Sequence, residues 1–235
     1  MYKSRLVACG FTQVHGLDYF NTFAPTVCLT AIRAMLAIAD SSSMVCHSLD
    51  INTAFLHAPL PDNCRCFMQV PTGYVPPANK AGNCVRLRKV FYGLKQSPRV
   101  WNHTLVIFLT EQLGFTQLFS EPLVFFKGAG DDFIAILVHV DDQTIISRSL
   151  PPVISLKHAL AKRFGIDDQG ETTYTLGLEV RRDTTSGRLL LSQRKFIATI
   201  LDRFSKYVLP PCSIPMNPVA GVALSMQQSS DAKFA

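Results

Sequence analysis

The chain has 235 residues, 48% of them hydrophobic, and a formal net charge of +6. Such a length and apolar content imply a folded chain with a substantial core and exclude a disordered one. Apolar runs reach only about eight residues against the ~18 that cross a bilayer, and no secretory signal opens the chain, so an intracellular protein with no membrane partner is expected. The positive charge permits a phosphate-rich partner without specifying one.

In chain order, "SRLVACGF" reads as a strand and "NTFAP" as a loop. "LTAIRAMLAIADS" carries Ile32, Met35, Leu36 and Ala39 at helical spacing, with Thr30 as N-cap. "MVCHSLDINTAFL" follows as a strand running into a turn or short helix. Residues 59–83, rich in Pro, Gly and Asn, form a long excursion. "CVRLRKVFYG" returns as a strand. "SPRVWNHTLVIFLTEQLGF" is the clearest helix, capped by Ser97, with Pro98 in its first turn and Gly114 as its stop. "PLVFFKG", "DDFIAILVHV" and "QTIISRS" read as successive antiparallel strands, and "PVISLKHALAKRFG" as an amphipathic helix ended by Gly165. "YTLGLEVRRDTTSGRLLLSQ" is a hairpin turning at Ser186-Gly187, and "SQRKFIATILDRFS" a last helix capped by Ser192. Helices interleaved with antiparallel hairpins imply an α+β fold with helices stacked on one face of a sheet.

Seven cysteines are too sparse and irregular for a disulfide scaffold, and none form a CxxC pair. Cys64 and Cys66 stand two apart, on one face if the segment is extended, and free thiols are expected there rather than zinc.

Adjacent aspartates occur three times. Asp131-Asp132 and Asp167-Asp168 lie in polar, Gly-containing segments and read as solvated turns. Asp141-Asp142 differs because apolar strands flank it on both sides. Neighbouring carboxylates raise each other's pKa unless a cation sits between them, and hard oxygens suit Mg²⁺. Asp50, in "HSLDINTAFL", ends another apolar strand. If the two strands are neighbours, three carboxylates converge, a set able to hold two Mg²⁺ ions for in-line phosphoryl transfer. A metal-dependent phosphatase is disfavoured because no matching nucleophile motif accompanies them.

The order of motifs carries a resemblance. "YKSRLVACGFTQVHGLDYFNTFAPTV", "LDINTAFLHAPL", "FMQVPTGYV", "VFYGLKQSPRVW", "LVHVDDQTI", "YTLGLEV", "LLLSQRKFI" and "PCSIPMNP" resemble, in register, the reverse transcriptase of copia-type LTR retrotransposons. The resemblance implies a right-hand polymerase with a ferredoxin-like palm, fingers and the start of a thumb. It would place fingers-like segments at about 1–49 and 59–97, palm at 50–58 and 98–168, a primer-grip hairpin and thumb start at 169–210, and a loose tail at 211–235. The implied activity is RNA- and DNA-directed DNA synthesis from dNTPs on a template and primer, with two Mg²⁺ ions, for which Mn²⁺ could substitute.

Carried over by motif, Asp50, Asp141 and Asp142 take the catalytic and metal-binding roles. Phe55 falls where an aromatic ring excludes a 2′-hydroxyl, although a core Phe is an equal reading. Lys3 and Arg5 match positions that hold the triphosphate, and Gln96 one that lines the nucleotide pocket. Lys95 and Arg99 would steer template phosphates, and Leu176-Gly177 resembles the primer grip. His139 stands where the family has Tyr near the primer end, bringing a smaller, titratable ring. Cys9 and Glu121 replace a usual Lys and Asp. The chain is expected to be a fragment without RNase H or integrase, and an inactive retrotransposon relic that at most binds nucleic acid is the alternative.

Overall fold

A computed structural model describes residues 6–61, 64–71, 73–74, 84–183 and 185–205. In chain order the elements are α1 (Leu29–Ser41), β1 (Val45–Ile51), β2 (Phe67–Gln69), β3 (Cys84–Arg86), α2 (Ser97–Ile107), β4 (Thr116–Gln117), β5 (Val124–Lys127) and β6 (Ile134–His139). They continue as β7 (Asp142–Ser147), α3 (Leu150–Phe164), β8 (Ile166–Glu171), β9 (Tyr174–Thr175), β10 (Leu178–Arg182), β11 (Leu189–Ser192) and α4 (Arg194–Arg203). The chain divides into two compact units, residues 1–193 and 194–235. In the second, α4 exposes Phe196, Ile197, Ile200 and Leu201.

The first unit is built on a six-stranded sheet of order β4-β5-β6-β7-β1-β8, antiparallel throughout. β6 and β7 are almost wholly buried, which explains why they read as continuous apolar runs rather than alternating ones. Trp101 of α2 and Phe164 of α3 meet edge-to-face at 5.2 Å, and Phe108 packs on Phe164 at 5.1 Å. A three-stranded sheet β11-β10-β9 and a β2-β3 ribbon complete this unit's strands among the described residues.

Lys157 of α3, almost fully buried, is tied to Asp168 of β8 and to His47 of β1, whose Nδ1 lies 3.0 Å from the ammonium. The Lys157 hydrogen bond holds the Asp168 carboxyl below the usual carboxylate range, and burial, then the Lys157 charge, holds His47 below its ordinary value.

Several local expectations change. Leu6–Cys9 makes no strand: Ala8 N–H donates to Tyr92 O at 2.7 Å, and a 3₁₀ turn follows at Gly10–Thr12. The α1 cap is Cys28, whose sulfur accepts from Ala31 N–H at 3.3 Å, not Thr30. Only Cys84–Arg86 of "CVRLRKVFYG" pairs as a strand. Ser97 Oγ donates to Phe91 O at 2.6 Å instead of capping α2. Beyond Ile107 that helix widens to a π-helical turn at Phe108–Gln112 before Gly114 turns it at φ +70°. Ser192 is the last residue of β11 and donates to Glu179 at 2.9 Å. Asp167-Asp168 belongs to strand β8 rather than a loop. Its pairing with β1 accounts for the error, because a polar edge strand carries no apolar alternation to read.

Candidate active site

The β6–β7 hairpin turns on Val140 and Asp141, since His139 pairs with Asp142 across it. Asp142 therefore lies in the strand, not in the turn with Asp141 as the adjacent pair implies. Val140 has φ +61° while Asp141 does not share a positive φ. This is the pattern of a II′ turn, in which the first central position ordinarily takes Gly. A β-branched residue there is strained, and such strain gathers at functional turns. Trp101 Nε1 donates to Val140 O at 2.8 Å, Ile51 N–H donates to Asp141 O at 2.9 Å, and Gln143 Nε2 reaches the same Asp141 oxygen at 3.5 Å, so the turn is held from three sides.

Trp101, inside the helix expected from Ser97 onward, is the residue that sequence reasoning missed. The available signal was that a buried indole N–H seeks an acceptor. Trp101→Phe removes that donor and leaves a carbonyl unsatisfied on a strained turn. It should cost about 1–3 kcal/mol in a denaturant titration. Unchanged stability would show that Trp101 does not anchor the turn.

Across the sheet, the register aligns His139 with Asp142, Asp142 with Asp50, and Asp50 with Asp167. Directly opposed residues of antiparallel strands share a face, with Cβ atoms about 4.5–5.5 Å apart. One rung thus carries a histidine and three carboxylates, with Asp141 beside it in the turn. Asp167 enters this rung unforeseen, because its strand was read as a loop.

Burial, and next the Asp141 charge, push the Asp142 carboxyl above the usual carboxylate range, while His139 acts in the opposite sense. His139 Nδ1 and Gln143 Oε1 are buried with no hydrogen-bond partner among the described residues. Such buried polar orphans are uncommon in native folds.

Hard carboxylate oxygens on one rung, one of them made harder to ionise by burial and then by Asp141 beside it, fit a divalent cation chemically. Among the described residues no three His, Cys, Asp or Glu side chains converge as they stand. The backbone register brings Asp50 and Asp142 together as the sequence implied, but enclosing an ion requires rotation of the side chains.

A groove of about 260 Å³ beside Asp142 is lined by Ser48, Thr144, Tyr174, Thr175, Leu176 and Gly177, among others. Leu176 (φ +43°) and Gly177 (φ +81°) form the two-residue turn of the β9–β10 hairpin, since Thr175 pairs with Leu178. Positive φ at both positions is the I′ pattern, which accounts for the Gly. Among the described residues no atom beyond its chain neighbours lies within 4 Å of where a Gly177 Cβ would stand, so that side is open. Hydroxyl pairs hold this hairpin region on the sheet: Thr144–Thr175 at 3.1 Å and Ser48–Thr172 at 2.9 Å.

The other sequence candidates lie apart from this rung. Phe55 is half-buried in the 3₁₀ turn Ala54–His57, 5.1 Å from the Tyr92 ring. Gln96 is enclosed, its amide donating to Asp18 O at 3.3 Å. Lys95 Nζ donates to Gln13 O at 3.2 Å and sits over the Tyr19 ring. Arg99 is exposed, with Nη1 3.4 Å from Phe23 O. Lys3 and Arg5 fall outside the described residues, as does the tail at 211–235. No helix among the described residues is long and apolar enough to cross a membrane.

The strained hairpin of the antiparallel sheet thus sets carboxylates opposite a third strand's aspartate. The family described as "Reverse transcriptase (RNA-dependent DNA polymerase)" matches residues 1–218, and the chain belongs to it. Within that family the resemblance is to copia-type Pol polyproteins. The chain is 37% identical over 216 residues to the retrovirus-related Pol polyprotein from transposon TNT 1-94 of Nicotiana tabacum. It is 36% and 38% identical to those from transposons RE1 and RE2 of Arabidopsis thaliana. These matches cover 92%, 95% and 92% of this chain but only 16%, 15% and 14% of the relatives, so it spans about a sixth of their length.

Proposed function

We propose that this chain is the polymerase domain of a copia-type retrotransposon Pol, adding dNTPs to a primer 3′-hydroxyl on an RNA or DNA template. The observation that carries the reading is the rung formed by Asp142 and Asp50, with Asp141 in the turn beside it. In this reading Asp50, Asp141 and Asp142 would hold Mg²⁺, or Mn²⁺ in its place. When bound, two such ions supply an acidified primer hydroxyl and charge neutralisation at the departing pyrophosphate.

The chain's own residues position the reactants. Val140 and Trp101 fix the turn that presents Asp141. The open Leu176-Gly177 turn, across the groove from Asp142, is placed to receive the primer backbone. The Phe55–Tyr92 pair supplies the aromatic surface under the incoming sugar. Lys3, Arg5 and Gln96 are assigned to the nucleotide, and Lys95 and Arg99 to template phosphates. Palm and fingers are then divided so that β1 and β8 remain whole in the palm sheet, with the primer-grip hairpin beginning at β9.

A second reading, a non-catalytic relic that binds nucleic acid, is favoured by His139, whose buried Nδ1 has no partner among the described residues where the resemblance has Tyr. The two separate on one template–primer. The polymerase extends it with dNTPs and Mg²⁺, and the Asp141→Asn variant binds it equally but does not extend it. Salt-sensitive binding without extension by the folded wild type would establish the relic.

A further inference from the structure

Cys64 and Cys66 lie on either side of Arg65 just before β2, and both are buried, at 8% and 3% exposure. Their sulfurs are 3.4 Å apart. Both thiols donate to one acceptor, the Asp18 carbonyl, at 3.1 and 3.4 Å. The Gln96 amide nitrogen reaches the same three atoms, at 3.4 Å from Cys64 Sγ, 3.2 Å from Cys66 Sγ and 3.3 Å from Asp18 O. Gln13 closes the cluster by donating to Gln96 Oε1 at 3.0 Å. Three segments distant in sequence are therefore joined through two sulfurs. Cys66, Gln13 and Asp18 also line a cavity of about 560 Å³, large enough to admit a small organic molecule.

We propose that Cys64 and Cys66 are a redox modification site, closing to a reversible disulfide when a small disulfide oxidant enters this cavity. In the exchange, one thiolate attacks oxidised glutathione and releases the first reduced glutathione. The second sulfur then displaces the other glutathione from the mixed disulfide. Two protons and two electrons pass to the oxidant, and one S–S bond forms as another breaks.

Closure shortens the 3.4 Å contact to a bond of ~2.05 Å and removes both S–H donors from the Asp18 carbonyl. A ring spanning one intervening residue is strained, which makes the disulfide readily reduced, so the dithiol persists in a reducing compartment. Burial pushes the Cys66 thiol up to about 11, so the exchange is slow at neutrality and quickens as pH rises. Nothing here depends on the polymerase reading.

The test uses the full chain with Cys9, Cys28, Cys84 and Cys212 replaced by Ser, treated with oxidised glutathione at about pH 9. The expected result is a mass loss of about 2 Da, a linked Cys64–Cys66 peptide and full reversal by dithiothreitol. Amide exchange at Gln13–Asp18 and Lys95–Gln96 should rise several-fold in the oxidised form. Adding Cys66→Ser should abolish the mass loss. Cys64 and Cys66 both left as free thiols beside the buried Cys46 in the folded protein, under conditions that link them in urea, would overturn the proposal. So would a linked peptide with unchanged exchange at both segments.

Discussion

Asp142→Asn is expected to abolish Mg²⁺-dependent primer extension while stabilising the metal-free protein. Asp142 faces Asp50 across the β1–β7 ladder and is pushed above the usual carboxylate range by burial and then by Asp141. A like-charge pair directly opposed in a sheet is destabilising, and removing it should recover about 0.2–1 kcal/mol after solvent screening. The sign follows from the raised pKa. The folded state disfavours the ionised form, so the penalty is present above the folded pKa and disappears as pH falls below the unfolded value near ~3.9. Thermal melts in chelator should therefore separate variant from wild type at neutral pH and converge in acid. Lower stability of the variant at neutral pH would mean that Asp142 is not under repulsion. Extension should fall by about 10³-fold or more, as when a preorganised charge is lost from a transition state.

Gly93→Ala should be the most damaging single substitution to the fold. Gly93 has φ +90°, and an added Cβ would lie 2.1 Å from Ala8 O and 2.6 Å from Val7 Cγ1. Gly10 packs back against it, with its own virtual Cβ 1.8 Å from Gly93 O. This double close approach is why the N-terminal segment gives up strand pairing to seat Ala8 on Tyr92. The loss should be about 3–5 kcal/mol, a fall in Tm of roughly 6–20 °C. Gly187→Ala is the control. It shares a positive φ of +70° but meets no atom of the described residues within 4 Å, so conformational strain alone should cost about 1–2 kcal/mol. Equal effects of the two substitutions would show that φ, not contact, dominates at Gly93.

Legibility in the sequence followed the strength of the periodic signal. α3 was readable along its length and at its Gly165 end, because its apolar stripe is regular, while its start at Leu150 lies two residues before the expected one. β6 and β7 were readable as buried strands, and the charged interruption at Asp141-Asp142 marked the turn to within one residue. The resemblance to copia-type reverse transcriptases, read from motif order, is borne out by the family match. Partners set by tertiary contact were not legible. No local rule makes a cysteine sulfur the cap of α1, diverts the Ser97 hydroxyl to Phe91 O, or sends the Trp101 indole to Val140 O. Asp167 was hidden for a related reason: β8 is polar and exposed, and only its ladder with β1 makes it a strand. Nor does any motif give the partners of the Gln96 amide, which is engaged by the Asp18 carbonyl and two sulfurs.

The most direct test is a single-turnover incorporation of one dNTP on a bound RNA template and DNA primer, titrated with Mg²⁺, for wild type and Asp50→Asn. Wild-type incorporation that saturates with Mg²⁺, lost in the variant at equal template–primer occupancy, is the predicted result. Incorporation by Asp50→Asn at the wild-type rate and Mg²⁺ dependence would contradict the assignment of the β1–β7 rung as the catalytic centre.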